Sequence, residues 1–130
     1  MPASALRRWG PPVLWAAVIF AFSSVPDLGT GLGGWDLLLR KLAHAVEYAL
    51  LGLLLARAAG RPAVALALGV GYAALDELHQ TLVPGRVGSP VDVAIDAAGV
   101  ALGVLAWERL GARRSASGGT RGGGDDRSRA

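Results

Sequence analysis

Two segments of this chain, Pro62–Tyr72 (PAVALALGVGY) and Gly99–Trp107 (GVALGVLAW), have no polar face when wound into helices. A soluble bundle keeps a polar stripe along every helix, so these segments need an apolar surrounding on all sides. They belong to four apolar stretches, roughly Trp9–Val25, Leu42–Ala59, Pro62–Leu78 and Val91–Trp107. Each holds about 17 residues, near the lower limit for crossing a ~30 Å hydrocarbon core. With 52% hydrophobic residues and only 18% charged, the chain is too apolar for a disordered or ordinary soluble domain. The expected fold is an all-α, four-helix transmembrane bundle spanning residues 1–110.

Charge supports this once it is resolved by position. The net charge of +3 suggests a nucleic-acid or anionic-surface binder. Of 13 basic and 10 acidic residues, five arginines (Arg113, Arg114, Arg121, Arg127, Arg129) and two aspartates (Asp125, Asp126) follow Gly111, leaving eight of each before it. The body is neutral, and no nucleic-acid partner is expected. Residues 111–130, a mixture of Arg, Gly, Ser and Asp, read as a disordered cytoplasmic tail. The absence of cysteine excludes disulfides and thiolate chemistry.

Gly10-Pro11-Pro12 suits a helix start, because a proline there lacks only an N–H that would be unpaired anyway. Pro26 and the following glycines mark a loop, with Trp35–Leu39 lying along the interface, and Gly60-Arg61-Pro62 is a tight turn. Arg7, Arg8, Arg57, Arg61, Arg109, Arg113 and Arg114 outnumber Arg40, Lys41 and Arg86 at the opposite end. The positive-inside rule then puts both termini in the cytoplasm and the 26–41 and 79–91 loops outside.

On that topology Asp27, Asp36, Glu47, Asp76, Glu77, Asp92 and Asp96 gather in the outer half with His44 and His79. An acid inside a span costs ~2.5–3.5 kcal/mol, so several together require pairing, water or a ligand. Helical spacing aligns Lys41, His44 and Tyr48 on one stripe, Tyr72, Asp76 and Gln80 on a second, and Asp92, Asp96, Gly99 and Gly103 on a third. The last two form a GxxxG pair suited to helix contact. The three stripes converge on an acidic, outward-facing pocket with Arg86 above it.

The order Phe22-Ser23-Ser24-x-Pro26, Lys41-x-x-His44-x-x-x-Tyr48-x-x-Leu51-Gly52, Asp76-Glu77-x-His79-Gln80-x-x-x-Pro84-Gly85-Arg86 and Asp92-x-x-x-Asp96-x-x-Gly99-x-x-x-Gly103 resembles the VanZ-like membrane family. The likeness covers about residues 15 to 105. Asp96 stands where the family often has Asn, and Leu82 where it has an aromatic. The resemblance implies a multi-pass protein of the bacterial cytoplasmic membrane. Through the family's namesake it also implies a link to resistance against the glycopeptide teicoplanin.

Three uses of the polar cluster follow. Ser23, Ser24, Lys41, His44, Tyr48, Asp76, Glu77, Gln80, Arg86, Asp92 and Asp96 are the candidate ligand-binding set. The ligand would be a lipid-linked wall precursor, a lipid headgroup or a glycopeptide, with Lys41 and Arg86 holding a phosphate or carboxylate. Alternatively His44, Asp76, Glu77 and Arg86 could perform acid/base hydrolysis or transfer on a lipid-linked envelope substrate. The third use is a purely structural polar network. No cofactor is expected. The i,i+3 pairs His44/Glu47 and Asp76/His79 are weak metal candidates, since such pairs are common by chance. The bilayer is the expected partner, and the oligomeric state is left open.

Overall fold

The computed structural model describes residues 2–25, 33–86 and 88–119. Four helices follow one another: α1 (Ala3–Ser23), α2 (Gly34–Ala59), α3 (Pro62–Gln80) and α4 (Pro90–Gly118). Two of them, α2 and α4, are long and apolar enough to cross a membrane, with mean hydropathies of 1.4 and 1.5 over their best windows. Only 33% and 28% of those windows are buried within the chain, so neither is the enclosed core helix of a soluble bundle. Large apolar side chains stand outward on every helix, among them Leu14, Val46, Leu75 and Leu102. In water such a surface is a liability; toward lipid it is the natural face.

The close packing lies between α2 and α4. A Cβ added at Gly99 would strike the Ala45 carbonyl, and one at Gly103 would strike the backbone of Ala49 and Leu53. Gly52 meets the backbone of Val100 in the same way from the other side. The GxxxG stripe read from spacing therefore faces α2, where only hydrogen atoms fit between the backbones. α3 packs against both, with Gly69 seated over the Val100 side chain. Tyr48, Leu51, Ala65, Ala73, Val100 and Ile19 form the buried core.

α1 is held differently, by side chains that donate to carbonyls across helix boundaries. Trp15 Nε1 donates to Glu47 O at 2.9 Å, and Tyr72 Oη donates to Ala16 O. At the opposite end Arg8 donates to Ala58 O near the end of α2. Arg57 Nη2 donates in return to Arg7 O at 3.3 Å.

Three boundaries differ from the expectation. α1 begins at Ala3 and carries Pro11 and Pro12 in its interior. Pro11 has no N–H for the Arg7 carbonyl, and the Arg57 guanidinium supplies that carbonyl with a donor instead. α2 begins at Gly34 behind a left-handed Gly33 (φ 64°), so Trp35–Leu39 forms its first turns and is not part of a loop. α4 runs to Gly118, beyond the expected boundary at residue 110. Ala112, Arg113, Arg114 and Ala116 are helix formers, and Arg114 lies over the Trp107 ring at 5.7 Å. Residues 120–130, like Pro26 and Asp27, lie outside the described residues.

Gly103→Val should destabilise the bundle by about 1–3 kcal/mol, because the facing backbone cannot yield as a side chain does. Gly111→Val, at a position with open space around it, should leave stability nearly unchanged. Thermal unfolding of both variants in the same detergent checks the contrast.

Candidate functional site

The polar residues sort into three groups at the end of the bundle where α2 and α4 begin and α3 ends. The first is an interior network centred on Asp76, which is 2% exposed. Its Oδ2 accepts from Tyr48 Oη at 2.7 Å, from Ser23 Oγ at 2.9 Å and from Gln80 Nε2 at 3.4 Å. Gln80 Nε2 also donates to Ser23 Oγ at 3.3 Å. Three helices thus meet on one carboxylate oxygen, while Asp76 Oδ1 is buried without a partner. The donors on Oδ2 are neutral, so the network bonds the carboxylate without cancelling its charge.

The second group fastens the segment between α3 and α4. Arg86 N bonds Val83 O at 3.1 Å, with Pro84 and Gly85 (φ 77°) as the central residues, the pattern of a type II turn. Only glycine takes that positive φ without strain, which explains the Pro-Gly-Arg order. The turn presents Arg86, whose Nε donates to Val25 O at 2.9 Å and whose Nη2 donates to Phe22 O at 3.2 Å, capping the end of α1. Glu77 Oε1 accepts from Ser89 N at 2.7 Å, and the Ser89 side chain caps α4 at Val91 N. Gly88 is packed so tightly on Thr81 and Glu77 that a Cβ has no room.

The third group lines an open cavity of about 210 Å3, walled by Leu37, Arg40, Lys41 and His44 of α2, Gln80 of α3, Gly85 and Arg86 of the turn, and Asp92, Ile95 and Asp96 of α4. Lys41 Nζ bonds Asp92 Oδ1 at 2.8 Å. One turn deeper, His44 Nδ1 lies 3.3 Å from Asp96 Oδ1, in contact but not aligned as a hydrogen bond. Asp96 is wholly buried, and neither carboxylate oxygen has a hydrogen-bond donor.

The cavity is not acidic, contrary to the sequence reading. Its lining carries three cations (Arg40, Lys41, Arg86) against two carboxylates (Asp92, Asp96). Asp76 and Glu77 are consumed in the helix interfaces below and beside it. Spacing placed these acids at the right height but could not say which would be sealed between helices. Of the candidate ligand residues, Lys41, His44, Gln80, Arg86, Asp92 and Asp96 line the cavity. Ser23, Tyr48 and Asp76 form the network beneath it. Arg40 was missed as a lining residue, although it precedes His44 by four and so shares its face.

The weak metal candidates are not brought together. His79 turns toward α1, where its ring stacks on Phe20 at 4.3 Å and its Nε2 meets Ser24 Oγ at 2.9 Å. Ser24 already donates to Phe20 O, so it accepts from His79. Asp76 Oδ2 is saturated by its three donors. Among the described residues no group of three His, Cys, Asp or Glu side chains could hold a metal ion.

The network predicts strong coupling between Tyr48 and Asp76. Tyr48→Phe should cost ~1–3 kcal/mol by removing the shortest donor to a buried carboxylate. Asp76→Asn combined with Tyr48→Phe should cost less than the two separately, and a double-mutant cycle of unfolding free energies measures the difference.

Comparison with known proteins places these residues in a family. No curated protein and no solved structure matches the chain. The VanZ/LLP1 family model matches residues 12–111, a stretch that contains the Asp76 network, the Pro84-Gly85-Arg86 turn and the whole cavity. The chain belongs to the VanZ/LLP1 family.

Proposed function

We propose that the chain is a four-span protein of the bacterial cytoplasmic membrane whose outward cavity binds a cell-envelope ligand through an anionic group. Both termini are cytoplasmic in this reading. α2 and α4 provide two spans by length and composition. α3, with 19 residues, reaches about 28 Å at 1.5 Å per residue and completes the hairpins. The excess of arginine near the termini and at the α2–α3 turn orients the bundle with the cavity outside.

The observation that carries the binding reading is the lining itself. Arg40, Lys41 and Arg86 converge from two elements on one space, bordered by apolar Leu37 and Ile95. Lys41 spends one of its three N–H groups on Asp92, and Arg86 spends two of its five on α1 carbonyls. The remaining donors suit a phosphate or carboxylate attached to an apolar body. A lipid-linked wall precursor, a lipid headgroup and a glycopeptide all have this construction. The last supplies the link to teicoplanin resistance.

A reporter fused at Gly85 should read as external; a cytoplasmic reading would overturn the orientation. The full chain purified in mild detergent should carry an envelope lipid or precursor detectable by mass spectrometry. Lys41→Gln should reduce that retention severalfold and alter teicoplanin susceptibility while folded yield is kept. Loss of folded protein in step with every loss of phenotype would assign the polar cluster to structure alone.

A further inference from the structure

Among the described residues of the cavity wall, both Asp96 carboxylate oxygens and His44 Nδ1 are buried without a hydrogen-bond partner. The Asp96 side chain is fully buried. Burying an unpaired carboxylate is costly, and a register-fixing residue would have been given donors as Asp76 was. His44 lines the cavity, and its Nδ1 stands against the fixed Asp96 carboxylate. A carboxylate 3.3 Å from Nδ1 favours, by its charge, the imidazolium that forms when the other ring nitrogen takes a proton. Above this pair stand Arg40, Lys41 and Arg86. Three cations around one cavity suit a group with several charged oxygens better than a single carboxylate.

We propose that this cavity hydrolyses a phosphate monoester, with His44 as the general base and Asp96 as the residue that positions it. The proposal rests on the reading of the cavity as an outward ligand site and names the substrate class for it. Arg40, Lys41 and Arg86 hold the phosphoryl oxygens and offset the charge that builds on them. His44 Nε2 takes a proton from a water whose oxygen forms a bond to phosphorus. The bond from phosphorus to the ester oxygen breaks, the leaving alkoxide takes a proton from solvent, and His44 returns its own to solvent. The sum is one water consumed, one alcohol and one inorganic phosphate formed. The substrate's apolar part continues along Leu37 and Ile95.

The test uses the full chain in detergent micelles with two probes, a short-chain diacylglycerol phosphate and para-nitrophenyl phosphate, reading released inorganic phosphate. Release from the lipid alone identifies a lipid-borne phosphate as substrate; release from both identifies the phosphate ester itself as the recognised group. His44→Gln should lower the rate about 10²–10⁴-fold. Asp96→Asn should lower kcat at least tenfold with KM little changed, Asp96→Glu should recover part of it, and Arg40→Gln should chiefly raise KM. A purely structural Asp96 would not produce that split. Equal release by wild type and His44→Gln overturns the proposal, and this comparison holds even if Asp96→Asn fails to accumulate. Binding of inorganic phosphate with no hydrolysis of either probe by wild type overturns hydrolysis and leaves the ligand site standing. Neither binding nor hydrolysis overturns both.

Discussion

The backbone contact between α2 and α4 governs what the rest of the molecule can do. Lipid offers no hydrophobic drive for two apolar helices to associate, so their pairing relies on close packing and hydrogen bonds. Gly99 and Gly103 allow α4 to lie on the backbone of Ala45, Ala49 and Leu53, and Gly52 admits Val100 in return. Both helices start at the same end of the bundle, so this contact also sets a parallel register. Counting back one and two turns from Gly99 brings Asp96 against His44 and Asp92 against Lys41. The cavity opens at the polar end of a seam closed by glycine, where the two helices meet through the side chains of Lys41, His44, Asp92 and Asp96.

α3 and α1 complete the site by adding hydrogen bonds to their apolar packing. Asp76 gathers Tyr48 and Ser23 onto one oxygen, tying α2 and α1 to α3. Carbonyls in or just beyond α1 accept from long side chains of other elements: Arg7 from Arg57 of α2, and Phe22 and Val25 from Arg86 of the α3–α4 turn. In a medium without water this is how irregular or interrupted backbone is kept satisfied. Arg86 serves two ends at once, because the turn that caps α1 also places its remaining donors over the cavity.

Much of this was legible in the residues. Spacing by three and four put Lys41 and His44 on one stripe and Asp92, Asp96, Gly99 and Gly103 on another, and the structure brings those stripes face to face. Pro84-Gly85 announced a turn, and its positive φ at Gly85 is the reason. The pairing of partners was not legible. Lys41 was as suited to Asp76 or Asp96 as to Asp92, since all three lie within a few turns of one another. His79 carried the same i,i+3 relation to Asp76 as His44 did to Glu47, yet it packs on Phe20 of α1. A helical wheel gives direction on one helix; the neighbour that lies in that direction depends on packing.

The sequence by itself determined an apolar helical chain of the VanZ/LLP1 kind, because a helix without a polar face leaves few other solutions and the ordered motifs span most of the body. It also determined the end at which polar chemistry gathers, since charged residues cannot be scattered through an apolar span without cost. Only the tertiary structure decided the character of the cavity. Sealing Asp76 and Glu77 between helices and leaving Arg40, Lys41 and Arg86 around the opening turned an acid-rich segment of sequence into a cation-rimmed space. Composition sums charges along the chain, whereas a ligand meets only those that packing leaves in reach.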